Sequence, residues 1–248
     1  MQLSTHCYAL TGFAYIPPWS VNAGIVVGQE TTLVVDSGPT QQAAATIYGY
    51  ARALRASNKL LVINTEQHLD HIDGNSYFAD RGIDIYGHRG IRRNDADLQS
   101  DIDAYIASVP DPVRRERPEG RIPFTDTHIT NPNKRIDQDM SLDLGGVTVE
   151  VVLTPGHTPT NLCVVVPADR VVFCGDCVVS GYLPNLEGGD AAAWATWLKS
   201  LDRLASFEPE VLVCGHGPVV QGAAVPLEIA RVRAAIQEAI ATGKPPTG

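Results

Sequence analysis

The chain has 248 residues, 44% of them apolar, enough to bury a large core in one large domain or two small ones. A formal charge of -9 disfavours non-specific attraction to nucleic acid or to an anionic membrane. No apolar run approaches the roughly 20 residues of a membrane span, and Met1 to His6 lack the basic start and apolar core of a signal peptide.

In chain order, Asn22 to Val27 and Thr32 to Val35 are apolar runs separated by Gly28-Gln29-Glu30, which predicts a hairpin. The second run ends in Asp36-Ser37-Gly38. Thr40 to Arg55 carries Ala, Ile, Tyr and Leu at helical spacing, so a helix is expected. Lys59 to Ile63 is rich in branched side chains and reads as a buried strand. It delivers the stretch Asn64-Thr65-Glu66-Gln67-His68-Leu69-Asp70-His71-Ile72-Asp73-Gly74-Asn75 at a strand end, where open α/β sheets present their chemistry. Glu66 and His68 are two apart and share a side of an extended segment, while Asp70 and His71 follow within one turn. Four nitrogen and oxygen donors thus converge on a small volume, which suits zinc, manganese or iron. Asp73 lies beyond this pattern and reads as a turn or helix residue. Gly74 to Arg81 is expected to be a short helix, and Ile83 to Gly87 a strand.

Residues from about 90 to 140 break the strand–helix rhythm. The stretch is polar and holds Pro110, Pro112, Pro118, Pro123 and Pro132, with one short helix at Ala96 to Ser108. A connection of this length is usually a lid or binding loop. Its Arg92, Arg93, Arg114, Arg115 and Arg117 either hold an anionic group of a substrate or form a solvated surface. Regular structure resumes with strands at Val147 to Leu153, Leu162 to Val166 and Arg170 to Cys174, the last two joined by the turn Pro167-Ala168-Asp169. Ala191 to Phe207 places Trp194, Trp197, Leu198, Leu201 and Leu204 on one helical stripe that reads as core. Glu210 to Cys214 is a strand, and Val225 to Ala241 a final helix ending near Gly243. Five cysteines (7, 163, 174, 177 and 214) have no zinc-finger spacing. They are expected as reduced thiols in a cytoplasmic protein.

Further candidate donors follow strands in the second half: His157 in Thr154-Pro155-Gly156-His157-Thr158, Asp176 in Phe173-Cys174-Gly175-Asp176, and His216 in Cys214-Gly215-His216-Gly217-Pro218. His6, His88 and His128 stand outside such motifs and read as ordinary histidines. The four motifs, in this order, resemble those of the metallo-β-lactamase superfamily, whose first signature is His-x-His-x-Asp-His; here Glu66 stands where the first histidine is usual.

The resemblance implies an αββα four-layer sandwich, two mixed sheets flanked by helices, in one domain over residues 1–248 with the 90–140 stretch as its variable insertion. It implies one metal ion on Glu66, His68 and His157 and another on Asp70, His71 and His216, with Asp176 bridging. Asp36 would brace the ligand loops through hydrogen bonds, and Asp70 and Tyr182 would be the catalytic side chains. The cofactor is expected to be two divalent metal ions, zinc first, with iron or manganese as options. Glu66 adds a negative charge and a harder donor than histidine, so whether one ion or two bind stays open at this point. The implied activity is hydrolysis of a carbonyl-centred bond (thioester, lactone, ester or amide) of a small molecule by a metal-activated hydroxide. Iron-dependent redox chemistry and β-lactamase-like amide cleavage are the alternatives. Neither nucleic acid nor membrane is an expected partner, and a homo-oligomer is an option.

Overall fold

A computed structural model describes residues 1–14, 20–108, 124–186 and 189–245. Two six-stranded sheets account for the strands. The first runs β1 (Cys7–Ala14), β2 (Ser20–Val27), β3 (Thr31–Val35), β4 (Lys59–Ile63), β5 (Asp84–His88) and β6 (Lys134–Ile136) in spatial as well as chain order. The second holds β7 (Met140–Asp143), β8 (Thr148–Leu153), β9 (Leu162–Val166), β10 (Val171–Gly175), β11 (Val211–Cys214) and β12 (Val220–Gln221), again as consecutive neighbours. Both are mixed: β3 to β6 are parallel, as are β10 and β11, and the other pairs are antiparallel.

Strand periodicity divides the apolar side chains between the central layer and the outer ones. In β4, Leu61 and Ile63 enter the layer between the sheets, while Leu60 and Val62 face the outer helices. In β10, Val171 and Phe173 point inward to the same central layer, and Val172 and Cys174 point outward. The outer face of the first sheet is covered by α1 (Gln41–Leu54). Two short helices, α2 (Leu69–Ile72) and α3 (Asn75–Ala79), follow β4, and α4 (Asp95–Ser108) follows β5. The second sheet carries α5 (Ala191–Ser206) and α6 (Ala224–Thr242). Sheet faces sheet and helices lie outside, an αββα sandwich.

Helix ends follow local chemistry. Thr40 caps α1 by accepting from the Ala43 N–H, and Asp190 caps α5 by accepting from Ala192 and Ala193. Gly243, at φ 71°, ends α6 in the left-handed conformation. The Trp194, Trp197, Leu201 and Leu204 stripe of α5 is buried against the second sheet, with Leu198 at its margin. All five cysteines are free and buried. No helix among the described residues is long and apolar enough to cross a membrane.

Four strands carry no sequence signal of their own. β1 is interrupted by a register shift between Leu10 and Phe13; β6, β7 and β12 have three, four and two residues, too few to show a period. The stretch from 90 to 140 contains α4, where a short helix is expected at Ala96 to Ser108, and ends by adding β6 to the edge of β5. Arg114, Arg115 and Arg117 lie outside the described residues. Arg93 pairs with Asp97 on α4 at 3.6 Å, and Arg92 is exposed.

Candidate metal centre

The C-terminal ends of β4, β8, β10 and β11 bring together all seven candidate donors. Glu66, His68, His157 and Asp176 place one donor atom each within 4.8 Å of one another, and Asp70, His71 and His216 do the same. The two groups abut. His71 Nε2 lies 3.5 Å from Asp176 Oδ1, and His216 Nε2 lies 3.3 Å from both Asp176 Oδ2 and Asp70 Oδ2.

Hydrogen bonds on the far side of three imidazoles aim them. His71 Nδ1 is 2.9 Å from Asp36 Oδ2, His216 Nδ1 is 2.9 Å from the Ser20 carbonyl, and His157 Nδ1 is 3.2 Å from the Asn185 carbonyl. Each bond places a proton on Nδ1 and leaves the Nε2 lone pair facing the cluster. His68 presents Nδ1 instead, 3.0 Å from Glu66 Oε2 and 3.1 Å from His157 Nε2.

Close packing leaves these loops little freedom. A side chain at Gly215 would place its Cβ 1.9 Å from Asp176 Oδ1, so only glycine lets β10 and β11 deliver Asp176 and His216 to one point. Asp36 takes the left-handed backbone at φ 62° and accepts from both the N–H and the hydroxyl of Thr65, beside Glu66. Asn64 and Asn75 exchange amide hydrogen bonds of 3.0 and 2.8 Å across the ligand loop, and Ser37 N–H donates to the His71 carbonyl.

The residues fit divalent cations. Both oxygens of Glu66, Nε2 of His71 and Oδ1 of Asp176 are buried without a hydrogen-bond partner, an arrangement costly unless a cation takes up the lone pairs. Charge points the same way. Burial opposes the charge on Asp70, yet His71 and His216 hold its carboxyl down to about 2. Glu66 lifts His68 to about 9, and His216, against its own desolvation, is carried to about 11 by Asp176 and Asp70. The carboxylates therefore draw positive charge into a buried volume.

Tyr182 is half-buried on the loop after Asp176. Asp73 closes α2, fully buried, and both its carboxylate oxygens lack a hydrogen-bond partner. Burial first, and then Asp70 and Asp101, push its carboxyl up to about 9. Asn22 has no place in the motif reading. Buried in β2, its amide donates to the carbonyls of Cys214 and Gly217 at 2.9 and 2.7 Å and so brackets His216. A cleft of about 570 Å³ opens beside the cluster, lined by Pro155, Gly156, His157, Pro159, Asp190 and Ala193 among others. A second cavity, of about 620 Å³, lies at the opposite ends of the strands, where Arg170 precedes β10 and Glu210 precedes β11, and is remote from the donors.

A family model described as the metallo-beta-lactamase superfamily matches residues 16–216. The chain belongs to that superfamily. It is 28% identical over 216 residues to a hydroxyacylglutathione hydrolase of Xanthomonas oryzae pv. oryzae, covering 86% of this chain and 67% of that protein. A linear primary-alkylsulfatase of Pseudomonas sp. is 20% identical over 219 residues, 80% of this chain but only 42% of that longer protein. Among solved structures, a metallo-beta-lactamase from Pontibacter korlensis superposes with a TM-score of 0.72 at 16% identity, covering 96% of this chain and 97% of that one. A metallo-beta-lactamase family protein from Thermus thermophilus gives 0.71 at 19% identity, covering 97% and 82%. At these identities the structural likeness shows the fold alone.

Proposed function

We propose that the chain hydrolyses a carbonyl-centred bond (thioester, lactone, ester or amide) of a small molecule, using two divalent metal ions held by Glu66, His68, Asp70, His71, His157, Asp176 and His216. The observation that carries this reading is the convergence of those donors on one buried point with four atoms left unpartnered. Zinc is the first choice, and manganese or iron also suits the mixed nitrogen and oxygen set. Bound there, such ions supply a water acidified toward neutral pH and an electrophile for the scissile carbonyl.

The chain's own groups do the rest. Asp70 Oδ2, within the second group and 3.3 Å from His216 Nε2, is the candidate to hold a proton of the attacking water. Tyr182 is the candidate donor to the developing oxyanion. The cleft beside His157 receives the body of the substrate. The name of the Xanthomonas relative supports a thioester, and that of the alkylsulfatase extends the panel to a sulfate ester. Free, buried thiols support a reducing, cytoplasmic setting.

The test is turnover by the purified chain loaded with zinc, manganese or iron. The panel is a thioester, an acyl-homoserine lactone, a chromogenic cephalosporin and an alkyl sulfate. Hydrolysis of a carbonyl substrate that disappears in Asp176→Ala supports the reading. Cleavage of none of the carbonyl substrates with any metal overturns it.

A further inference from the structure

We infer that Glu66 is a second bridging carboxylate, shared by both ions instead of belonging to one; the inference rests on the metal-centre reading above. Glu66 Oε1 lies 3.5 Å from His157 Nε2 and 3.6 Å from His71 Nε2, imidazoles that belong to different halves of the cluster. Its Oε2 turns to His68 Nδ1 at 3.0 Å. Asp176 shows the same spread: Oδ1 is 3.5 Å from His71 Nε2, and Oδ2 is 3.4 Å from His157 Nε2 and 3.3 Å from His216 Nε2. Each carboxylate therefore reaches both halves at once.

The chemistry of the side chain permits this. A carboxylate offers two oxygens and about four lone-pair directions, whereas an imidazole nitrogen offers one, so a histidine at this position could serve a single ion. Glu66 is fully buried, and the close polar neighbours of its two oxygens are imidazoles of the cluster itself: His68 at Oε2, and His157 and His71 at Oε1. Its reach is set from below, where Asp36 holds both the N–H and the hydroxyl of Thr65. Doubly bridged ions bind cooperatively, because the first ion orients both carboxylates for the second. The extra oxygen donor also raises the standing of manganese or iron relative to zinc.

The full chain, stripped of metal with a chelator, is titrated calorimetrically with zinc and with manganese, and its zinc-loaded form is crystallised. The expected result is two ions per chain in one cooperative step, with Glu66 oxygen about 2.0–2.2 Å from each zinc. Glu66→His, able to serve one ion, should split uptake into two steps and lower manganese affinity relative to zinc, since an imidazole is a softer donor than a carboxylate. Should that variant fail to fold, Glu66→Asp keeps the charge but is one methylene too short to span, and should split uptake likewise. Two ions bound with Glu66 touching only one, or variants whose uptake stays cooperative with unchanged preference, overturn the bridge and leave the hydrolase reading standing. A chain that takes up no ion overturns both.

Discussion

Asp36 Oδ2 lies 2.9 Å from His71 Nδ1, and the same carboxylate ties down Thr65, whose neighbour Glu66 points into the other half of the cluster. One buried acid, on the strand end beside β4, thus sets the aim of two donors. Asp36→Asn keeps the size and tolerates the left-handed backbone, but it puts an amide NH2 where one of the two oxygens facing Thr65 and His71 stood. Metal affinity should fall about 10–100-fold. Competition with a coloured chelator measures it, and unchanged affinity would mean that Asp36 has no part in holding the ions.

Asn22 should matter to His216 although it touches no donor atom. Asn22→Ala strands the Cys214 and Gly217 carbonyls, both in the His216 loop. A loss of about 1–3 kcal/mol in urea unfolding is expected. Metal should leave the second half of the cluster more readily than the first.

Gly215 is a steric requirement. In Gly215→Ala the new methyl falls 1.9 Å from Asp176 Oδ1 and 2.9 Å from His71 Cε1, so both must shift. Hydrolysis should drop on the order of 100-fold, with the circular dichroism spectrum unchanged. Wild-type rates from this variant would mean that the Asp176 position shown is not the working one.

Away from the site, Asp169 provides a pH test. Burial opposes its charge, but the Ser4 hydroxyl together with the ring and backbone N–H of His6 holds its carboxyl below the ordinary value. A pKa depressed on folding gives stability that is present above the unfolded value of about 3.9 and is lost as pH falls through the folded one. Asp169→Asn should therefore cost about 1 kcal/mol at pH 7, with the gap closing as the wild type is acidified below about pH 4. Melts across that range check the sign, and a gap that widens in acid would be incompatible with it.

The sequence made visible what depends on local order. Strand β4 and its loop announce themselves because branched residues run straight into Glu66, His68, Asp70 and His71, and α1 and α5 because their apolar stripes repeat at helical spacing. What stayed hidden depends on distance in space. Asn22 looks like any polar residue of a strand until β11 is laid beside it, and β6 and β12 are strands only because an edge was waiting for them. Glu66 could be counted as a donor from its motif. Its reach toward His71 could not be read, because it depends on how α2 turns back over the strand end.

Whether these seven side chains hold a pair of ions is decided by anomalous scattering from crystals of the zinc-loaded chain, recorded at the zinc edge. Two peaks are predicted, one among Glu66, His68 and His157 and the other among Asp70, His71 and His216, with Asp176 reaching both. A map with no peak among these side chains, or with zinc held elsewhere on the chain, would contradict the dinuclear centre.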